Sequence, residues 1–131
     1  MEPIEFSKEA LEAFRAKARK AQQGLRAIRL GVRGGACSGL QYVIEFDYDD
    51  PRPGDIEWNP QGWEEYAYDP TQSEGSLNRI RLVYFRVDKK SVLYLNGTKV
   101  TWHKSLMKEG FEFENPNEAS RCGCGHSFSA K

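Results

Sequence analysis

The chain has 131 residues, 39% hydrophobic and 29% charged, which is long enough for one globular domain with a core of its own. Its 19 basic and 19 acidic side chains cancel, so no overall field draws it to nucleic acid or to an anionic membrane. No apolar run approaches the roughly 20 residues that cross a bilayer, and the N-terminus lacks a basic-then-apolar signal. A soluble protein of the cytoplasm, or of an organelle matrix once a leader is removed, is therefore expected.

Ser7 is placed to cap a helix running to about Gln23, with Phe6 stapled onto Leu11 and Gly24 as the stop. Leu11, Phe14 and Ala18 form its buried stripe. Lys8, Arg15, Lys17, Arg19 and Lys20 take the other face, which reads as solvated surface, with a docking site as the alternative. From Arg26 the period shortens to two: Ile28, Leu30 and Val32 alternate with Arg29, Gly31 and Arg33, as in a half-buried strand. Gly34-Gly35-Ala36-Cys37-Ser38-Gly39 breaks that strand. Tyr42, Ile44, Phe46 and Tyr48 then alternate with Gln41, Val43, Glu45 and Asp47 in a second strand across the glycine-rich loop, which places Cys37 between strands.

From Asp49 to about Ser76 the chain carries Pro51, Pro53, Pro60 and Pro70, with eight acidic residues against the single Arg52, and Trp58, Trp63, Tyr66 and Tyr68 among them. This reads as a long surface excursion, either plain solvated loop or an acidic, aromatic surface for a basic partner. Ile80 to Val87 is apolar on both faces, as in a central strand. Val92 to Leu95, Asn96-Gly97 and Thr98 to Trp102 together read as a hairpin, because Asn-Gly accepts positive backbone angles. His103 with Lys104 and Leu106 is expected in a short helix near residues 102–109, ending at Gly110, where His103 is a surface histidine sooner than a ligand. Phe111 and Phe113 begin a last strand before Asn115-Pro116-Asn117.

Three cysteines are too few and too oddly numbered for a disulfide framework, and a bond between Cys122 and Cys124 would be strained and labile. Around them, Arg121-Cys122-Gly123-Cys124-Gly125-His126-Ser127-Phe128 offers glycine and polar neighbours instead of the apolar contacts a packed cysteine wants. Two thiolates one residue apart can reach one metal ion or cluster, and the glycines let the backbone fold closely round it. Cys37 adds a third thiolate from another glycine-bracketed loop. The set is soft, favouring iron-sulfur clusters, zinc or cuprous copper over magnesium or calcium. Three cysteines fall one short of the four protein ligands a 2Fe-2S or 4Fe-4S cluster normally takes. The fourth position is open to a second subunit, a small thiol, solvent or His126.

At Cys37-Ser38-Gly39-Leu40-Gln41-Tyr42 and Cys122-Gly123-Cys124-Gly125, followed by Ser127-Phe128, the sequence resembles the A-type iron-sulfur carrier family, the HesB and IscA-like proteins of cluster assembly. The likeness continues through Ser91-Val92-Leu93-Tyr94-Leu95-Asn96-Gly97, Gly110-Phe111-Glu112-Phe113 and Asn115-Pro116-Asn117. It implies that Cys37, Cys122 and Cys124 bind a 2Fe-2S or 4Fe-4S cluster, or iron. It further implies a mainly β (α+β), compact two-sheet fold of β-sandwich type, a homodimer or larger oligomer, and passage of clusters from a donor scaffold to apo acceptor proteins. On this reading residues 1–131 are one carrier domain with an insertion at about 50–78 and a mobile Cys-Gly-Cys tail. The insertion is longer and more aromatic than the family's usual connection, and His126 stands where an acidic or small residue is common.

Two other classes compete. A structural zinc module would use Cys37, Cys122, Cys124 and His126, and would lose its fold when chelated. A thiol-disulfide enzyme would cycle Cys122 and Cys124, but the C-x-x-C helix start of such enzymes is missing. No nucleophile with a base and no phosphate loop is evident, so the chain does not read as an enzyme. Tyr42 belongs to an alternating apolar face and reads as core, with a hydrogen bond or brief ligation to iron as the alternative.

Overall fold

The computed structural model describes residues 2–21, 24–34, 39–60, 83–104, 109–121 and 127–130. Strand β1 (Ile4–Phe6) runs directly into helix α1 (Lys8–Arg19). Between them the Ser7 hydroxyl accepts the Ala10 N–H at 3.1 Å, satisfying one of the donors a helix start leaves open. The helix stops earlier than Gln23. The N–H groups of Lys20 and Ala21 turn back to the carbonyls of Lys17 and Ala18, the tighter pattern that closes a last turn. Ala10, Leu11, Phe14 and Ala18 are buried, and Phe14 packs against Phe6, Phe85 and Phe111 at 5.7, 5.2 and 4.0 Å between ring centroids.

The chain continues through β2 (Ala27–Gly34), β3 (Leu40–Asp47), β4 (Ile56–Trp58), β5 (Tyr84–Val87), α2 (Val92–Leu95), β6 (Thr98–Lys104), β7 (Glu109–Glu114), β8 (Glu118–Arg121) and β9 (Ser127–Ala130). These strands make two sheets, as expected of a mainly β, α+β fold: a three-stranded one in the order β1-β6-β7, and a six-stranded one in the order β4-β5-β2-β3-β9-β8. β1 with β6 and β2 with β5 are parallel, and the other pairs are antiparallel. One apolar cluster, including Ile4, Phe14, Ile28, Phe85, Val100 and Phe113, joins both sheets to α1.

Val92–Leu95 is a helical turn instead of the first arm of a hairpin. The Asp88 carboxylate accepts the N–H groups of Lys90 and Ser91, both at 3.2 Å, while the N–H groups of Leu95 and Asn96 bond back to Ser91 and Val92. This capping, with Leu95 fully buried, overrides the β preference of the short apolar run. Asn96-Gly97 still turns sharply, with Gly97 at φ 88°, but it joins a helix to a strand. The short helix expected near residues 102–109 is also corrected, since His103 pairs with Gly110 and Lys104 with Glu109, extending β6 and β7. Trp102 and Phe111 sit opposite each other there with ring centroids 4.7 Å apart, a cross-strand pair that favours continued pairing. Residues 105–108 lie outside the described ones.

β2 is not half-buried: every residue from Ala27 to Gly31 is buried, Arg29 included. Within the stretch read as a surface excursion, β4 adds an edge strand to the larger sheet, and its Trp58, 7% exposed, lies against Phe6 and Phe85. β5 lies inside that sheet as a central strand should, between β4 and β2, although residues 80–82, like the rest of 61–82, fall outside the described set. Ser127–Ala130 is a strand held between β3 and β8, and the Cys-Gly-Cys segment before it lies outside the described residues.

Candidate metal centre

The candidate ligands Cys37, Cys122, Cys124 and His126 lie outside the described residues, and the structure places the frame to which their segments are attached. Arg121 of β8 pairs with Phe128 of β9, Phe128 with Leu40 of β3, and Leu40 with Gly34 of β2. These form one row across four adjacent strands. Gly34 and Leu40 bracket the segment 35–39, while Arg121 and Ser127 bracket 122–126, with Ser127 paired to Gln41. With strands about 4.8 Å apart, the row spans roughly 14 Å. A chain covers at most about 3.5 Å per residue, so positions three residues from Leu40 or from Ser127 have a reach of about 10 Å. Because β9 is antiparallel to β3, the chain reaches Ser127 from the side on which β3 runs on to Tyr42, whereas segment 35–39 meets β3 at its other end, Leu40.

The end of β2 that leads to Gly34 has its own support. β5 pairs with β2 only as far as Leu30 opposite Val87, and beyond that point the Ser91 hydroxyl accepts the Val32 N–H at 3.1 Å. Gly31 permits this closeness, since a Cβ there would lie 3.1 Å from Ser91 Oγ. Asp88 holds the turn that presents Ser91. Burial pushes its carboxyl up, but hydrogen bonds from the Ser91 hydroxyl and the N–H groups of Ser91 and Lys90 outweigh this and leave it below its ordinary value.

Tyr42 combines both of its expected roles that need no iron. Its ring stacks on Phe113, with 4.3 Å between centroids and 10° between planes, and its hydroxyl donates to Glu118 Oε2 at the start of β8. His103 is an exposed residue of β6. Among the described residues, no group of three or more His, Cys, Asp or Glu side chains is arranged to hold a metal ion.

Sequence reasoning missed a buried charge network behind β2. Glu57, Arg86, Arg29 and Glu45 form a row across β4, β5, β2 and β3. Asp47 Oδ2 bridges the two arginines, 3.0 Å from Arg29 Nη2 and 2.9 Å from Arg86 Nη1. Arg29 grips both oxygens of Asp55 at 3.1 and 2.7 Å, and Arg86 reaches Glu57 Oε2 through Nε and Nη2 at 3.0 and 2.7 Å. Burial pushes the Asp47 and Asp55 carboxyls up, yet both end below the ordinary aspartate value. Hydrogen bonds from the Asp49 N–H, Arg86 and Arg29 outweigh burial at Asp47, and those from Arg29 and the Arg52 N–H do so at Asp55. The hydrogen bond to Asp55 raises the Arg29 pKa despite its burial. The available signal was Arg29 and Arg86, each set between two apolar residues, matched by the acid-rich run from Asp47 to Glu57.

Residues 2–126 match the sequence model of a family described as iron-sulphur cluster biosynthesis. The chain is 36% identical over 126 residues to the iron-binding protein IscA of Pectobacterium carotovorum subsp. carotovorum, covering 96% of this chain and 97% of that one. It is 40% identical over 101 residues to the iron-binding protein IscA of Escherichia coli strain K12 / DH10B, covering 77% and 75%. A crystal structure of IscA with its 2Fe-2S cluster shares the fold with a TM-score of 0.66 at 24% identity over 98% of each chain. Escherichia coli SufA shares it with a TM-score of 0.62 at 24% identity, over 97% of this chain and 92% of that one.

Proposed function

This chain belongs to the iron-sulphur cluster biosynthesis family, and we propose that it carries an iron-sulfur cluster, 2Fe-2S or 4Fe-4S, or its iron precursor, on the thiolates of Cys37, Cys122 and Cys124 and passes it to apo-proteins. The observation that carries this reading is the row Gly34, Leu40, Phe128 and Arg121, which anchors both cysteine-bearing segments to neighbouring strands. The iron-binding relatives, and the 2Fe-2S cluster held by one structural neighbour, support iron as the cargo.

Three thiolates from one chain leave a cluster one protein ligand short, so the cargo is completed from outside the set and stays exchangeable. A second copy of the chain supplies that completion in a homodimer or larger oligomer. The opposite approach of the two segments to β3 suits such sharing. Transfer is ligand exchange, with acceptor thiolates displacing those of the carrier and no change of oxidation state. Residues 1–131 act as a single carrier domain, not as an enzyme, in the cytoplasm, between a donor scaffold and apo acceptors.

Anaerobic reconstitution with iron and sulfide tests this. A brown protein is expected, whose visible absorption moves to an apo-ferredoxin on mixing. A colourless protein that holds zinc and unfolds with a chelator would instead establish the structural zinc module of Cys37, Cys122, Cys124 and His126. An unchanged cluster spectrum and lifetime in His126→Ala would remove the imidazole from the ligand set.

A further inference from the structure

Among the described residues, the β8–β9 hairpin that brackets residues 122–126 joins the larger sheet through a short ladder. β9 pairs with β3 at two positions, Leu40 with Phe128 and Gln41 with Ser127, and β8 pairs only with β9, with a register shift between Glu118 and Ser120. The Tyr42 hydroxyl ties Glu118, the first residue of β8, to β3, and the turn that precedes β8 is a further support that sets where it points.

That turn is Asn115-Pro116-Asn117. Asn115 Nδ2 donates to the Tyr94 carbonyl at 2.9 Å, and Asn117 Nδ2 donates to the carbonyls of Tyr94 and Asn96 at 3.1 and 3.0 Å. These are carbonyls at the C-terminal end of α2, where a helix leaves acceptors without partners of its own. Asn115 Oδ1 accepts the Asn117 N–H at 2.9 Å, and the Glu118 N–H closes on the Asn115 carbonyl at 3.2 Å. The acceptor side is fixed in turn, since the Gly97 N–H donates to the Pro3 carbonyl at 2.8 Å, tying the end of α2 to the start of β1. Two asparagine side chains thus fasten β8 to the junction of α2, β1 and β6.

We infer that Asn115 and Asn117 are positioning residues for the cargo: by clamping the start of β8 to the end of α2, they set where Cys122 and Cys124 are presented relative to Cys37. This rests on the carrier reading above and deepens it. β8 is only four residues long, about 13 Å, and Asn117 directly precedes it, so a shift at position 117 displaces the start of the strand that leads to residue 122.

The test uses the full chain reconstituted anaerobically, with two readouts: the visible circular dichroism of the bound cluster and the rate at which EDTA removes iron. Asn117→Ala is expected to alter the dichroism and to speed iron loss at least roughly fivefold, the factor one lost hydrogen bond corresponds to. Ser7→Ala, which removes the α1 cap and lowers thermal stability far from this turn, is expected to leave both readouts unchanged. Wild-type dichroism and release in Asn117→Ala would overturn the inference. So would equal changes in Ser7→Ala, because the clamp would then act through stability alone. If Asn117→Ala does not fold, Asn117→Asp serves in its place, keeping the side-chain shape while losing the donor to both carbonyls. A wild-type chain that takes up no cluster overturns the carrier reading and this inference with it, and does so before any substitution is made.

Discussion

Arg29 and Arg86 stand side by side on parallel strands where water scarcely reaches, and two neighbouring guanidinium groups repel unless carboxylates are interleaved. Asp47, Asp55 and Glu57 do this. A period-two reading sends Arg29 to solvent because it assumes one covered face, and the carboxylates that cover the other come from the far end of β3 and from beyond it. Asp47 and Asp55 titrate lower in the folded chain than in the unfolded one, so in acid the unfolded chain binds more protons. Their contribution is complete above the unfolded carboxylate value of about 3.9 and is lost as pH falls through the lower folded values. Urea unfolding across pH should show stability dropping below about pH 4, and Asp55→Asn should lower the neutral plateau by about 3 kcal/mol while flattening that drop. A variant as stable as wild type at pH 7 would show that the pair carries no net stabilisation.

Among the elements, those specified by neighbouring residues were legible and those specified by distant ones were not. Ser7, Phe14 and Ala18 announce α1 because cap and stripe are written locally, and the two strands around Cys37 follow from clean alternation. Val92–Leu95 misleads because four apolar residues suit either state, and the decision lies with Asp88 and with Ser91 reaching across to β2. The β8–β9 hairpin is hidden because its strands are four residues each and its register depends on β3. Gly97 was recognisable as a positive-φ position even though the element before it was misread. Gly97→Ala should cost about 1–2 kcal/mol through backbone strain, read as a fall in the midpoint of thermal unfolding. The added Cβ would lie 3.4 Å from Pro116 Cγ, an ordinary contact, so strain and not crowding sets that loss. An unchanged midpoint would mean that the turn relaxes at no cost.

At the scale of the whole molecule, the two sheets and α1 share one core, and the larger sheet brings the anchors of residues 35–39 and 122–126 into one row. The soft-metal site proposed for the three cysteines rests on residue type, since thiolates among glycines favour a soft metal. The row that frames it was not legible, because it exists only once β9 is inserted between β3 and β8. The most direct measurement is iron content and Mössbauer spectrum after anaerobic reconstitution of the wild-type chain and of Cys37→Ser, Cys122→Ser and Cys124→Ser. Sulfur-ligated iron in the wild type, depleted in each of the three variants, is the predicted result. Wild-type iron content and an unaltered spectrum in Cys37→Ser would contradict it, because the two segments would then not serve one site.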